Sequence, residues 1–180
     1  SYDEVNKNQE KKEIEQKLWQ RRCGERLTNL FLYDVTSSYF EGQHNELAAY
    51  GYNRDKKYGK KQIVIGLLTD DQGDPIAVRV FKGNTSDGKT VETQIDALKN
   101  KFKVENVTMV GDRAMFKLPQ IEQMPEDFSY ISALTKPEIR TLIKEEVLEL
   151  GLFDEDLCEV EQEGVCYVLR RNPLRAREMK

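Results

Sequence analysis

Residues 29–38 read Asn-Leu-Phe-Leu-Tyr-Asp-Val-Thr-Ser-Ser, an apolar run that ends in a carboxylate and a cluster of hydroxyls. Leucine, phenylalanine, tyrosine and valine favour a buried β-strand, which we expect at about residues 29–36. Alternation along this strand places Leu30, Leu32 and Asp34 on one face, so the carboxylate is expected to share its side with core residues. Burying an ionised carboxylate is costly unless a hydrogen-bond network or a metal ion compensates it.

A second hydrophobic run ends in the same way. Residues 107–113 read Val-Thr-Met-Val-Gly-Asp-Arg, a strand that leads directly into Asp112. If the two strands are neighbours, Asp34 and Asp112 converge at one point of a sheet. Paired carboxylates supply the oxygen ligands that Mg²⁺ prefers, and proteins use them to hold this ion for phosphoryl chemistry. The two runs together predict a divalent-metal site.

The composition is typical of one soluble globular domain with a small appended unit. The chain has 180 residues, of which 38% are hydrophobic and 33% charged, and its net charge is −4. No run approaches the length of a membrane span, and the first residues are polar, without the pattern of a signal peptide. Three cysteines do not suggest a disulfide framework, so a reducing cytoplasm is the simpler interpretation. The single histidine, His44, leaves carboxylates as the expected metal ligands.

The charges are unevenly distributed along the chain. Residues 54–61 and 170–180 are basic, whereas residues 145–163 are acidic. A local cationic strip can bind phosphate even in an acidic protein, although such lysines are most often simply solvated. The candidate DNA contacts are Arg113, for which a structural ion pair is the alternative, and four lysines, Lys56, Lys57, Lys60 and Lys61.

The predicted order of elements is strand, strand, strand, helix, strand, helix, strand, which gives a mixed α/β sheet. The strands are expected at about 29–36, 61–69, 76–81, 106–111 and 128–134, and the helices at about 4–23, at 88–101 and from residue 118. Residues 37–60 contain few aliphatic side chains and are expected to be an irregular connection.

The character of the sequence changes after Thr135. The next stretch predicts a charged helix, a β-hairpin and the start of a further helix, at about 137–151, 157–170 and 173–180. We therefore expect three parts. They are an N-terminal helical segment (1–24), a catalytic core (25–135), and an insertion subdomain with a truncated helix (136–180).

Four short strings resemble a known family in their order and spacing. They are Tyr33-Asp34-Val35-Thr36-Ser37, Gly66-Leu67-Leu68, Gly83-Asn84-Thr85-Ser86-Asp87 and Gly111-Asp112-Arg113. Together they resemble the catalytic domain of bacterial insertion-sequence DDE transposases, whose ribonuclease H-like core is interrupted by a mostly β insertion. The resemblance covers residues 27–135 best, and it implies an incomplete ribonuclease H-like core followed by part of the insertion.

The resemblance also implies a site and a chemistry. In that family three acidic residues hold two divalent ions, Mg²⁺ or Mn²⁺ as its substitute, for DNA cleavage and strand transfer at transposon ends. Asp34 matches the first acidic residue and Asp112 the second. The third is a glutamate on a helix after the insertion, and Glu178 follows the hairpin too soon to match it. We therefore expect the third residue to lie beyond residue 180 and this chain alone to be inactive.

The partners implied by the resemblance are double-stranded DNA, as transposon end and as target, and a second copy of the protein in a homodimer on DNA. The implied location is the bacterial cytoplasm, at the nucleoid during activity, and not a membrane.

Other functions remain open. A ribonuclease H-like nuclease or junction resolvase uses the same carboxylates without transposon-end specificity. A degenerate domain that only binds DNA or oligomerises would have its aspartates salt-bridged to a lysine or to Arg113. An aspartyl phosphatase is disfavoured, because Thr36 stands where the acid/base aspartate is expected. Thr36 is explained equally well as an ordinary strand residue and as a residue that contacts the metal ligands. Asn84 and Asp87 are more simply explained as residues that fix a loop conformation and cap a helix.

Overall fold

The computed structural model describes residues 2–23, 28–42, 44–52, 59–149, 151–152 and 157–170, with side chains throughout except at residues 2–8, 22–23 and 118. The chain divides into two compact units, Ser1–Ala133 and Leu134–Lys180. Among the described helices, none is both long and apolar enough to span a membrane. The helix expected at 173–180, including Glu178, lies outside the described residues.

The first unit is built on a five-stranded mixed sheet. Its strands are β1 (Leu30–Phe40), β2 (Lys61–Thr69), β3 (Pro75–Lys82), β4 (Val107–Val110) and β5 (Phe128–Ile131). Across the sheet their order is β3-β2-β1-β4-β5. The pairs β1–β2 and β2–β3 are antiparallel, whereas β1–β4 and β4–β5 are parallel. The predicted ribonuclease H-like mixed sheet is therefore confirmed.

Three helices accompany this sheet. They are α1 (Tyr2–Cys23), α2 (Asp87–Asp96), which continues as a π-helical segment over Ala97–Phe102, and α3 (Leu118–Glu122). Ser86 stands at the N-cap position of α2, and Asp87, for which a helix-cap role was expected, is the first residue of the helix. The π-helical segment ends at Lys103, whose φ of 53° is left-handed.

The core of this unit lies between one face of the sheet and the α2 segment. On β1, Phe31, Tyr33 and Val35 are only 0–6% exposed and belong to one cluster with Val91 and Leu98. The alternation of buried and exposed residues continues through Ser37. Burial on this scale supplies most of the stability of a small domain, because each buried large aliphatic or aromatic side chain contributes about 1.5–3 kcal/mol.

Helix α1 packs on the core through one aromatic and one charged side chain. The Trp19 ring lies 5.9 Å from that of Phe31 and 5.0 Å from that of Phe102. Glu15 is buried, and its carboxylate accepts hydrogen bonds from Arg79, at 2.5 and 3.0 Å, and from Lys101. Burial alone raises the pKa of Glu15, but these two cations outweigh it and hold the pKa below its ordinary value.

Strand β1 is longer than predicted, and this is the main correction to the predicted elements. Residues 37–40 continue the strand, where an irregular connection was expected, and Ser37 and Phe40 pair with Val64 and Lys61. The prediction failed because β2 is long enough to pair with these residues, which compensates for their polar character. At the other edge, β5 ends at Ile131, three residues before the predicted end at Leu134.

The second unit contains helix α4 (Lys136–Lys144) and a hairpin of β6 (Cys158–Gln162) and β7 (Val165–Leu169). The α4 helix begins with a capping box, in which Thr135 and Glu138 bond each other's backbone amides. It ends before the predicted residue 151, and Glu146 is left-handed with φ 60°. The hairpin turns at Glu163 and Gly164, both with positive φ, as predicted.

Candidate metal centre at β1 and the end of β4

Asp34 lies within β1, on the side of the sheet away from the core. Leu32, Asp34 and Thr36 are exposed, while their neighbours Phe31, Tyr33 and Val35 are buried. The expectation that Asp34 shares its side with core residues is therefore wrong. The carboxylate avoids the cost of burial because the opposite face of β1 is the one that packs.

The face that carries Asp34 is otherwise largely apolar. By register, Asp34 is paired with Leu67, and Leu67 with Val78 of β3. Six large aliphatic side chains of this face are 36–55% exposed, namely Leu30, Leu32, Leu67, Val78, Val80 and Ile131. We call this surface the open face. Asp34 is thus a charged group on an apolar sheet surface.

Strand register brings Asp112 to the same end of the sheet. Leu32 of β1 is paired with Val110 of β4, and two residues further along each chain stand Asp34 and Asp112. One residue beyond β4 the chain is still hydrogen-bonded to β5, because the N–H of Gly111 donates to Ile131 O at 3.1 Å. Adjacent strands lie about 4.8 Å apart, so the two aspartates leave neighbouring positions of one sheet.

Each aspartate is engaged by the backbone of the next residue. The N–H of Val35 donates to Asp34 Oδ1 at 2.8 Å, and that of Arg113 donates to Asp112 Oδ1 at 2.7 Å. These bonds orient both carboxylates and occupy one oxygen of each. Among the described residues, no other group bonds the second oxygens, so these remain available to a ligand.

Arg113 does not neutralise the pair. Its Nε lies 3.8 Å from Asp112 Oδ1, and the two side chains are 55% and 64% exposed. An ion pair this open to water contributes at most about 1 kcal/mol. No cation lies within ion-pair distance of Asp34 in the described part of the chain.

The donor set fits a hard divalent ion. Mg²⁺ is commonly held by one or two carboxylates and completes its coordination with water and substrate phosphate. Within the described ranges, no group of three or more acidic, histidine or cysteine side chains comes together. Asp34 and Asp112 are therefore the two carboxylates of the described residues that could hold part of such an ion's coordination shell.

The predicted lysine contacts lie elsewhere. Lys61 is paired with Phe40, which is 40 − 34 = 6 residues beyond Asp34 and so about 20 Å along β1. Lys60 donates to Glu41 Oε1 at 2.8 Å, and this bond raises the pKa of Lys60. Lys56 and Lys57 lie outside the described residues. The structure does not bring Lys60 and Lys61 next to the aspartates.

Sequence reasoning missed the side chain behind the site. Tyr33 precedes Asp34 and points into the core, where its ring lies across Gly66 of β2. Burial raises the pKa of its hydroxyl, and Thr90 and Gln94 of α2, which lie beside it, oppose this effect only in part. The only signal in the sequence is Gly66 itself, a glycine within a strand, which often marks a close approach.

The family model described as "Transposase DDE domain" matches residues 25–175. No curated protein gives a significant sequence match. Among solved structures, the chain is similar to the Mos1 Strand Transfer Complex, with 15% identity and a TM-score of 0.36, over 69% of this chain and 41% of that chain.

A second similar structure is a pre-cleavage Mos1 transpososome, with 12% identity and a TM-score of 0.38 over 94% of this chain. The match covers 52% of that chain. The present chain thus spans about half, or less, of the length of the chains that it resembles.

Proposed function

The chain belongs to the family of transposase DDE domains, and from this premise we propose that it is part of a transposase that cuts and joins DNA with divalent metal ions. The observation that supports the proposal is the pairing of Leu32 with Val110, because Asp34 and Asp112 each stand two residues further along their chains. The proposed partners are double-stranded DNA and a second copy of the protein. The proposed location is the bacterial cytoplasm.

In this proposal the two aspartates act as metal ligands. They would hold Mg²⁺, which would supply activation of a water or 3′-hydroxyl and stabilisation of the leaving oxygen at a phosphodiester. The chain provides rigid positions for the ligands, since β1 and β4 are neighbours in the middle of the sheet. Exposure of both carboxylates leaves space for a DNA phosphate. A third acidic ligand is still required and is not assigned.

Mn²⁺ binding tests the site without requiring turnover. We expect the chain to bind Mn²⁺ in isothermal titration, and Asp34→Asn and Asp112→Asn each to weaken binding at least about tenfold, through loss of a charged ligand. Asparagine keeps the oxygen that accepts the backbone N–H, so the fold is retained. Glu105→Gln removes another exposed carboxylate, which lies before β4, and is the matched control.

The outcomes separate the proposal from its alternatives. Equal Mn²⁺ binding by Asp34→Asn and the wild type would refute the site. In a longer form of the protein, joining of a DNA 3′ end to target DNA distinguishes a transposase from a nuclease or resolvase, which cuts without joining.

A further inference from the structure

Residues 47–52, which we call the tyrosine loop, are bonded to the start of β2 and to the residue after β3. Ala49 and Gln62 exchange both backbone hydrogen bonds, at 3.1 and 2.9 Å. The N–H of Gly83 donates to Leu47 O at 2.9 Å. The loop is therefore held at two points by the sheet.

A buried side chain completes the attachment. Gln62 is 2% exposed, and its Nε2 donates to Tyr52 O at 2.9 Å and to Gly83 O at 2.8 Å. The backbones approach so closely that a Cβ on Gly51 would lie 2.0 Å from Gly83 O, and one on Gly83 would lie 1.9 Å from Gln62 O. Only glycine permits this packing, so the tyrosine loop has a fixed backbone.

This fixed backbone presents two aromatic rings to solvent. Tyr50 is 66% exposed and Tyr52 is 83% exposed. Neither ring has an aromatic or cation–π partner in the described part of the chain. Because the backbone is already ordered, stacking a ligand on these rings costs little further conformational entropy.

Unpaired cations stand at the two strand ends that hold the loop. Lys61 begins β2 and Lys82 ends β3, and by register both lie on the open face with Ile63. No carboxylate of the described residues lies within ion-pair distance of either. Lys60, in contrast, is paired with Glu41. Lys61 and Lys82 flank the residues to which the loop is bonded, so a possible phosphate contact and a stacking surface lie in the same region of the sheet.

We propose that the tyrosine loop, with Lys61 and Lys82, binds unpaired bases of DNA. Stacking on aromatic rings requires a free base face, which a duplex keeps within its own stack, and lysines contact the backbone phosphates. The inference rests on the proposed function, which makes DNA the partner. It assigns a second contact surface, about 20 Å along β1 from Asp34.

Fluorescence anisotropy with a labelled oligothymidine and with a duplex of the same length tests this inference. We expect the single strand to bind more tightly than the duplex. The Tyr50→Ala/Tyr52→Ala variant should bind the single strand at least about tenfold more weakly, since stacking contributes about 1–3 kcal/mol per base. The Tyr50→Phe/Tyr52→Phe variant keeps both rings and is the matched control, with binding close to wild type.

The lysines give an independent measurement. Each phosphate contact to a single strand contributes about 0.7 to the slope of log affinity against log salt. We expect Lys61→Gln/Lys82→Gln to reduce the magnitude of this slope by about 1.4. An unchanged slope, a preference for the duplex, no single-strand binding by the wild type, or equal binding by the alanine and wild-type proteins would each overturn the proposal.

The same variants separate this inference from the proposed metal site. All four substituted residues are remote from Asp34, so their Mn²⁺ titrations should match the wild type. Normal single-strand binding by the alanine variant, together with loss of Mn²⁺ binding in Asp34→Asn, would refute the tyrosine loop and leave the metal site standing. The reverse pattern would refute the metal site alone.

Discussion

Gly66→Ala is expected to destabilise the chain by overpacking Tyr33 against β2. A Cβ on Gly66 would lie 2.1 Å from the Tyr33 hydroxyl oxygen, and real Cβ contacts essentially never fall below 3.0 Å. The oxygen must therefore move by at least 3.0 − 2.1 = 0.9 Å. Tyr33 is 2% exposed, so its movement must displace neighbouring core residues. Overpacking of a core costs about 1–3 kcal/mol. The lower backbone entropy of alanine recovers about 0.5–1 kcal/mol, so we expect a net loss of about 1–2 kcal/mol.

A double-mutant cycle with Tyr33→Phe isolates this contact. The hydroxyl of Tyr33 has no hydrogen-bond partner within bonding distance among the described residues, so its removal alone should change the free energy of unfolding by less than about 1 kcal/mol. In the double variant the oxygen is gone, and the remaining ring carbons stand 2.9 and 3.0 Å from the new Cβ. We expect the two substitutions to couple favourably by about 1 kcal/mol.

Urea unfolding followed by fluorescence measures all four proteins. The chain has one tryptophan, Trp19, which packs on Phe31 and Phe102 and so reports directly on the core. Additivity of the two single substitutions to within about 0.5 kcal/mol would refute the packing argument. It would mean that the Gly66→Ala cost arises from the β2 backbone and not from the Tyr33 ring.

Two further predictions concern the charged anchor of α1 and the open face. Glu15→Gln should cost about 2 kcal/mol at neutral pH, because it leaves two half-buried cations unpaired. Because the pKa of Glu15 is held below 4.5, its ionised form stabilises the fold above that pH. The difference in free energy of unfolding between the wild type and Glu15→Gln, measured with urea, should therefore shrink as the pH falls below 4.5. Val78→Thr/Val80→Thr should weaken the binding of a hydrophobic dye and lower the free energy of unfolding by less than about 1 kcal/mol. Val64→Thr, on the core face, should lower the free energy of unfolding by about 1–3 kcal/mol. Equal costs for the two faces would contradict the assignment of the open face.

The positions of the strands were predictable because most of them are largely apolar runs that lie next to turn signals. The hairpin of β2 and β3 follows from the turn at residues 70–75. These features are local, so periodicity and turn chemistry are sufficient to detect them.

The side of β1 that packs was not predictable. Both faces carry large apolar residues, with Leu30 and Leu32 on one and Phe31 and Tyr33 on the other. Alternation separates these two sets but does not say which one is covered by α2. The partners of Glu15 were hidden for a similar reason, since Arg79 and Lys101 stand 64 and 86 residues away along the chain. Such contacts depend on the completed fold.

The strand partners of β1 change close to Asp34. Strand β1 pairs with β4 over Leu30–Leu32 and with β2 over Leu32–Phe40, so beyond Leu32 its only strand partner in the described part of the chain is β2. The N–H of Val35 bonds the Asp34 carboxylate instead of a strand, so alternate peptide groups beyond it face an unpaired edge. Edge peptides of this kind exchange their amide protons with water more readily than peptides that are paired on both sides. The Asp34 carboxylate thus stands at the start of an open strand edge.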